Sequence, residues 1–177
     1  DREHFSFEKL LIATGSRVRK INVSGSELNN IHYLRTIEDV DQIRSGMAEH
    51  KKLVIVGGGY IGLEVAAIAT QAGMNVRVLE TEDRVLQRVT TPTMSNYYTR
   101  LHEKRGVRIH TKTRVIGFEG KSAVERVVCD NDVFDADLVI VGIGIIPNSE
   151  LAEKAGIACE NGITVDERCQ TSIPGIY

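Results

Sequence analysis

Six residues, Gly57-Gly58-Gly59-Tyr60-Ile61-Gly62, stand between the all-apolar run Leu53-Val54-Ile55-Val56 and a helix-forming stretch through Ala66, Ala67 and Ala69 to Ala72. This strand–GxGxxG–helix order admits few folds. The first glycine lets the chain turn sharply out of a strand, the third position lets a diphosphate approach the backbone, and the last lets the helix lie close on the sheet. The helix then presents unpaired N–H groups and a positive dipole end to an anion. A plain structural turn could use the same glycines, but the placement is the one that dinucleotide binding requires.

The flanking pattern agrees. Leu53–Val56 is apolar throughout, as expected of a strand covered on both faces. Gly73 closes the helix, Val76–Glu80 reads as a second strand, and Pro92 after Thr91 suits the start of another helix. In that helix Met94, Tyr97, Tyr98 and Leu101 recur at helical spacing, Gly106 ends it, and Val107–His110 is a third strand. β-α-β-α-β predicts a parallel sheet with right-handed crossovers. Before it, Lys9–Ala13 reads as a strand closed by Thr14-Gly15, the passage to Arg35 as loop, and Thr36 with Asp39 as a capping box opening a helix. After it, the runs 114–119, 124–129 and 133–134 read as an antiparallel meander. Leu138–Val141 is a buried strand returning to the main sheet, 149–155 a short helix and 163–165 an extended segment. The fold class is α/β: a doubly wound, Rossmann-like parallel sheet with an antiparallel meander.

Glu80 ends the second strand, 23 residues after Gly57. An acidic side chain there can accept both ribose hydroxyls of an adenosine, and its charge opposes a 2′-phosphate, which favours NAD over NADP. Thr81 and Arg88 follow it as further cofactor-binding candidates. Arg84 and Arg88 could instead receive a phosphate, and Arg88 could equally neutralise the diphosphate, flank the adenine or lie in solvent. Tyr60 and Glu64 are four apart and share a helix face directed toward the nicotinamide half. They are candidates for positioning and gating; no residue stands out as a general acid, base or nucleophile.

Composition excludes other classes. The chain has 177 residues, 42% hydrophobic, with 22 Lys+Arg against 24 Asp+Glu, so it lacks the basic footprint of a nucleic-acid binder. Its longest strongly apolar stretch, 138–147, is about half of what a membrane helix needs. Cys129, Cys159 and Cys169 are too few and scattered for a disulfide scaffold or zinc site, which points to a reducing cytoplasm. His4, His32, His50, His102 and His110 have no metal spacing and read as surface or partly buried side chains. Neither Gly-x-Ser-x-Gly nor a Gly-Lys-Ser/Thr loop is present. The polar start without Met suggests a cut end, hence a piece of something longer.

Several ordered segments resemble one family. They are Leu11-Ile12-Ala13-Thr14-Gly15, Leu34-Arg35-Thr36, Val56 to Glu64 (VGGGYIGLE), Arg84-Val85-Leu86 with Arg88-Val89-Thr90, Gly142-Ile143-Gly144-Ile145-Ile146-Pro147-Asn148, Asn161-Gly162-Ile163, and Thr171-Ser172 to Tyr177. Together they resemble the FAD-dependent pyridine-nucleotide oxidoreductases, specifically NADH–ferredoxin or rubredoxin reductases of the putidaredoxin-reductase and biphenyl-dioxygenase-reductase type.

The resemblance implies an NAD domain inserted between two segments of an FAD domain: residues 1–15 ending the first FAD segment, 16–146 the NAD domain, and 147–177 opening the second FAD segment before its flavin Gly-Asp. It assigns Gly57, Gly59 and Gly62 to the diphosphate and Glu80 to the adenosine ribose, with Gly58 and Ile61 of the same loop as further cofactor-binding candidates. Gly142, Ile143 and Gly144 fall to the nicotinamide end, Tyr60 borders the nicotinamide, and Glu64 approaches its carboxamide. It further implies hydride transfer from NADH to FAD in the intact protein, then single electrons to an iron–sulfur partner, with the fragment alone inactive. Disulfide reductases of the family usually carry Gly-Arg-x-Pro-Asn where this chain has Gly144-Ile145-Ile146-Pro147-Asn148, and thioredoxin reductases carry a Cys-x-x-Cys that is absent here. A CoA-disulfide reductase, NADH oxidase or nitrite-reductase flavoprotein, and a non-catalytic NAD-sensing module, stay open as alternatives.

Overall fold

The computed structural model describes residues 3–177; Asp1 and Arg2, which begin the 1–15 span above, lie outside the described residues. In chain order the elements are β1 (Ser16–Val18), β2 (Ile31–Tyr33), α1 (Ile37–Gly46), β3 (Lys52–Val56), α2 (Tyr60–Gln71), β4 (Asn75–Leu79), α3 (Pro92–Glu103), β5 (Arg108–His110), β6 (Val115–Glu119), β7 (Arg126–Cys129), β8 (Val133–Asp135), β9 (Leu138–Val141), β10 (Ile145–Pro147) and α4 (Glu150–Lys154). The chain divides into two units, one of Val18–Gly144 and the other of the residues up to Arg17 together with Ile145–Tyr177.

The larger unit is built on a five-stranded parallel sheet in the order β2-β9-β3-β4-β5. From β3 the chain winds outward through β4 to β5, and β9 then returns on the opposite side of β3. That reversal puts a crevice at the carboxyl ends of β3 and β9, the place where open α/β sheets take ligands.

Both faces of this sheet are covered, and strand alternation sorts the core accordingly. Leu53 and Ile55 of β3, with Leu138 and Ile140 of β9, pack with Val65, Ala66 and Ala69 of α2 and Ile43 of α1. Their neighbours Val54, Val56, Val139 and Val141 pack instead with Phe118, Val127 and Phe134 of the antiparallel sheet β6-β7-β8. A continuous apolar run is what a strand needs when both of its faces are dry. Each fully buried aliphatic side chain here contributes about 1.5–3 kcal/mol.

Local signals explain the element ends. Thr36 Oγ1 accepts the Asp39 N–H while the Asp39 carboxylate accepts the Thr36 N–H, a complete capping box on α1. Thr91 caps α3 ahead of Pro92, and Gly73 after α2 takes a left-handed φ of 77°.

Three sequence expectations are corrected. No strand forms over 9–13: that segment is extended and makes a single bridge, Leu10 to Ile176, with Leu10 N–H donating to Gly175 and Tyr177 N–H donating to the Leu10 carbonyl. The passage to Arg35 is not all loop, because β1 pairs with β10 and β2 forms an edge of the main sheet. These are three-residue strands, too short to show a period. Residues 163–165, read as an extended segment, make isolated bridges, Cys159 to Ile163 and Val165 to Thr171. In α3 the Met94/Tyr97/Tyr98/Leu101 frame holds only in part: Tyr98 and Leu101 are half-buried, Met94 and Tyr97 are exposed, and Ser95 and His102 are the buried residues. Both are polar, and both are hydrogen-bonded, which is what lets polar groups take an inward position. His102 is thus a buried tie between helices, its ring nitrogens 2.8 and 3.1 Å from the carbonyls of Tyr98 and Leu63.

Candidate functional site

The glycine loop lies where the sheet reverses. Gly57 leaves β3 with φ 109° and donates its N–H to the Leu79 carbonyl at 2.8 Å. A Cβ on Gly57 would lie 2.4 Å from the Gly142 carbonyl oxygen, so this position brings the ends of β3 and β9 into direct contact. A Cβ on Gly62 would lie 2.1 Å from the Gly57 carbonyl oxygen and 3.3 Å from Ile55, which is the close seating of α2 on β3. Gly59 differs: nothing lies within 4 Å of where its Cβ would be.

Gly59 is also the N-cap of α2, and it provides no side-chain acceptor; nor does the first turn of α2 carry an acidic residue. The positive end of the helix therefore meets open space with no carboxylate of its own to neutralise it. An anion that needs backbone N–H donors and close approach fits that space.

Glu80 follows β4 and is half-buried. Its Oε2 accepts the Gly58 N–H at 2.7 Å, and Oε1 accepts the Glu82 N–H at 2.9 Å and the Thr81 hydroxyl at 3.2 Å. The carboxylate is thereby fixed beside the glycine loop. Oε1 is filled by two donors, so Oε2 keeps the free acceptor site for a hydroxyl such as that of a ribose.

The other predicted residues distribute around this centre. Gly142 donates to the Val56 carbonyl at 2.8 Å, Ile143 is half-buried against the meander-side core, and Gly144 is exposed with φ 110°. Tyr60 and Glu64 are exposed on α2 one turn apart, and Ile61 is exposed between them. Arg88 is exposed and pairs with Glu82 at 3.2 Å. Arg84 is directed elsewhere: its guanidinium donates to the Thr90 and Gln87 carbonyls and to Ser95 Oγ. A phosphate-receiving role for Arg84 does not match that arrangement.

Sequence reasoning gave no role to Ser95 and offered Arg84 only as a phosphate receiver; half-buried Arg84 and buried Val85, Leu86 and Ser95 are linked in one cluster in the loop after β4. An arginine followed at once by two apolar residues, with a serine entering the next helix, was the available signal. An open concavity of about 770 Å³ lies elsewhere, beside Thr93, Tyr97 and Arg100 of α3 and Lys104 at its end. It is an open groove on one helix, and none of the glycine-loop residues lines it. Among the described residues, no helix is long and apolar enough to cross a membrane, and no group of three or more Cys, His, Asp or Glu side chains could hold a metal ion.

The comparisons with known proteins agree with this geometry. The family model described as pyridine nucleotide-disulphide oxidoreductase matches residues 1–177. Putidaredoxin reductase CamA of Pseudomonas putida is 46% identical over 181 residues, covering 98% of this chain and 43% of that protein. A rubredoxin-NAD(+) reductase, also of Pseudomonas putida, is 39% identical over 179 residues, covering 100% of this chain and 46% of its own length. Among solved structures, the covalent putidaredoxin reductase–putidaredoxin complex matches with a TM-score of 0.90 at 47% identity, over 96% of this chain and 42% of that one. The chain thus spans less than half the length of the relatives it matches. The glycine loop at the sheet reversal and the family match over every residue lead to one identification: this chain belongs to the pyridine nucleotide-disulphide oxidoreductase family.

Proposed function

We propose that this chain is the NADH-binding part of a flavoprotein reductase that passes hydride from NADH to FAD and then single electrons to a ferredoxin or rubredoxin. The identity with electron-transfer reductases along the whole chain carries the choice of reaction. The open space at Gly59, the uncapped start of α2 and the fixed Glu80 carboxylate support the coenzyme.

In this reading Gly57 to Gly62 take the diphosphate, with Gly58 and Ile61 contributing backbone to the same loop. Glu80 and Thr81 take the adenosine ribose, and Arg88 releases Glu82 to reach the phosphates. Gly142, Ile143 and Gly144 line the nicotinamide end, while Tyr60 and Glu64 position or gate it. Bound NADH supplies the hydride; the protein supplies orientation and a fixed field. Residues 1–15 and 147–177 belong to an FAD domain on either side of an NAD domain of 16–146, and FAD is held with the help of residues outside this sequence. Thr14 Oγ1 donates to the Asn148 carbonyl at 2.6 Å and Asn148 Nδ2 donates to the Thr14 carbonyl at 2.9 Å, which suits two halves of one domain. The three free cysteines suit a reducing cytoplasm.

The test is anaerobic mixing of the intact flavoprotein with NADH or NADPH, followed by addition of an oxidised ferredoxin. Flavin bleaching by NADH in preference to NADPH, followed by one-electron reduction of the iron–sulfur protein, is expected. A flavin that NADH leaves oxidised, or that reduces only a disulfide, rejects the reading.

A further inference from the structure

We infer that Arg84 is a positioning residue for the coenzyme: it holds the loop after β4 in the one shape that clamps the Gly58 backbone from both sides. The inference rests on the NADH-binding reading above and adds to it a residue with no direct contact to the ligand.

The backbone of Gly58 is held at two points, one on each of its flanking peptide groups. Its N–H donates to Glu80 Oε2 at 2.7 Å, and its carbonyl accepts the Leu86 N–H at 2.9 Å. Gly58 is therefore placed by the residue that ends β4 and by a residue six further along. Leu86 reaches it with a left-handed φ of 55°, a conformation that costs a branched side chain free energy and persists only where surroundings impose it.

Two constraints impose it. The first is apolar: Val85, at 0% exposure, and Leu86, at 3%, pack with Leu63 of α2, and a Cβ on Gly58 would meet Val85 Cγ1 at 2.9 Å. The second is Arg84. One guanidinium nitrogen donates to the Thr90 carbonyl at 3.0 Å and to Ser95 Oγ at 2.6 Å, and the other donates to the Gln87 carbonyl at 3.1 Å. Ser95 is fully buried and its hydroxyl donates to the Val85 carbonyl at 2.7 Å. The chain Arg84–Ser95–Val85 closes the loop on itself and pins it to the first turns of α3, and a planar fork suits this task because it satisfies several carbonyls at fixed angles.

The consequence is functional because the braced backbone stands at the centre of the diphosphate loop. A loop free to relax around Leu86 leaves the Gly58 carbonyl unheld and lets the neighbouring amides fan out. The ligand must then order them at its own expense, as any site does when its supporting shell is loose.

The test compares Arg84→Met with the parent in the intact, flavin-loaded protein, using ADP-ribose binding by calorimetry and the steady-state constants for NADH. The expected result is an ADP-ribose affinity about tenfold weaker and a KM for NADH raised to match, with kcat at saturating NADH within about twofold of the parent. A folded Arg84→Met that binds ADP-ribose as the parent does overturns the inference, as does a fall in kcat with KM unchanged. Should Arg84→Met not fold, Ser95→Ala removes one arm of the same network: weakened ADP-ribose binding supports the inference, and unchanged binding overturns it. A parent protein that binds no ADP-ribose overturns the NADH-binding reading itself, and this inference with it.

Discussion

The Glu80 carboxylate accepts the Gly58 backbone N–H at 2.7 Å, so the residue proposed for the adenosine ribose also holds the loop proposed for the diphosphate. The two tasks share one side chain, and substitutions there separate them.

Glu80→Gln keeps an acceptor for Gly58 and removes the charge, whereas Glu80→Ala removes both. Hydrogen bonds to a charged group contribute about 1.5–3 kcal/mol. Glu80→Ala should therefore weaken NADH binding by about tenfold to a hundredfold, and both variants should narrow the preference for NADH over NADPH. Dissociation constants for the two coenzymes check this, and a preference that neither variant alters removes Glu80 from the ribose.

Gly59 and Gly62 should respond oppositely to a methyl group. Gly59 has open space and extended backbone, so Gly59→Ala and Gly59→Val should fold with nearly unchanged thermal midpoints yet lose coenzyme binding. Gly62→Ala would push a Cβ to 2.1 Å from the Gly57 carbonyl oxygen and should destabilise the fold by about 1–3 kcal/mol. Paired melting and binding measurements distinguish the two. Intact coenzyme affinity in Gly59→Val would mean the diphosphate lies elsewhere.

His110 and His32 give the fold an acid sensitivity. Burial lowers both from the ordinary value of 6.5; Arg77 and Arg108 lower His110 further while Asp132 raises it, and Asp39 raises His32. The His110 ring lies tilted against Phe134 with centroids 4.7 Å apart, and its Nε2 has no hydrogen-bond partner among the described residues. A depressed histidine binds protons more readily unfolded than folded, so stability is full above pH 6.5 and declines as pH falls below it. Urea midpoints across that range should fall on the acid side, and His110→Leu should flatten the profile. A profile that rises toward acid contradicts the sign.

Cysteine reactivity should follow burial. The Cys129 thiol is pushed up to about 11 by burial and by Asp130 and Asp132, whereas Cys169 is exposed. An alkylating reagent at about pH 8 should label Cys169 quickly and Cys129 only on unfolding. Mass spectrometry after timed labelling reads this, and early modification of Cys129 would show that the β7 core opens.

What the sequence made legible was local. The glycine loop, the Thr36–Asp39 box, the Thr91-Pro92 start and the acidic end of β4 each depend on residues a few positions apart. The edge strand Ile31–Tyr33 was not legible, because three residues carry no period and their order comes from pairing with β9, over a hundred positions later. The inward face of α3 was misread because Ser95 and His102 are buried through hydrogen bonds to Val85, Tyr98 and Leu63, which an apolar count cannot register. Arg84 was open to a phosphate-binding reading for the same reason: its acceptors, two loop carbonyls and Ser95 of α3, are brought to it by tertiary packing.

The most direct test of the central claim is a crystal structure of the intact protein with NAD bound. Diphosphate oxygens within hydrogen-bonding distance of the backbone amides around Gly59, and ribose hydroxyls on the Glu80 carboxylate, are the predicted result. A coenzyme bound away from the Gly57–Gly62 loop, with Glu80 facing solvent, would contradict it.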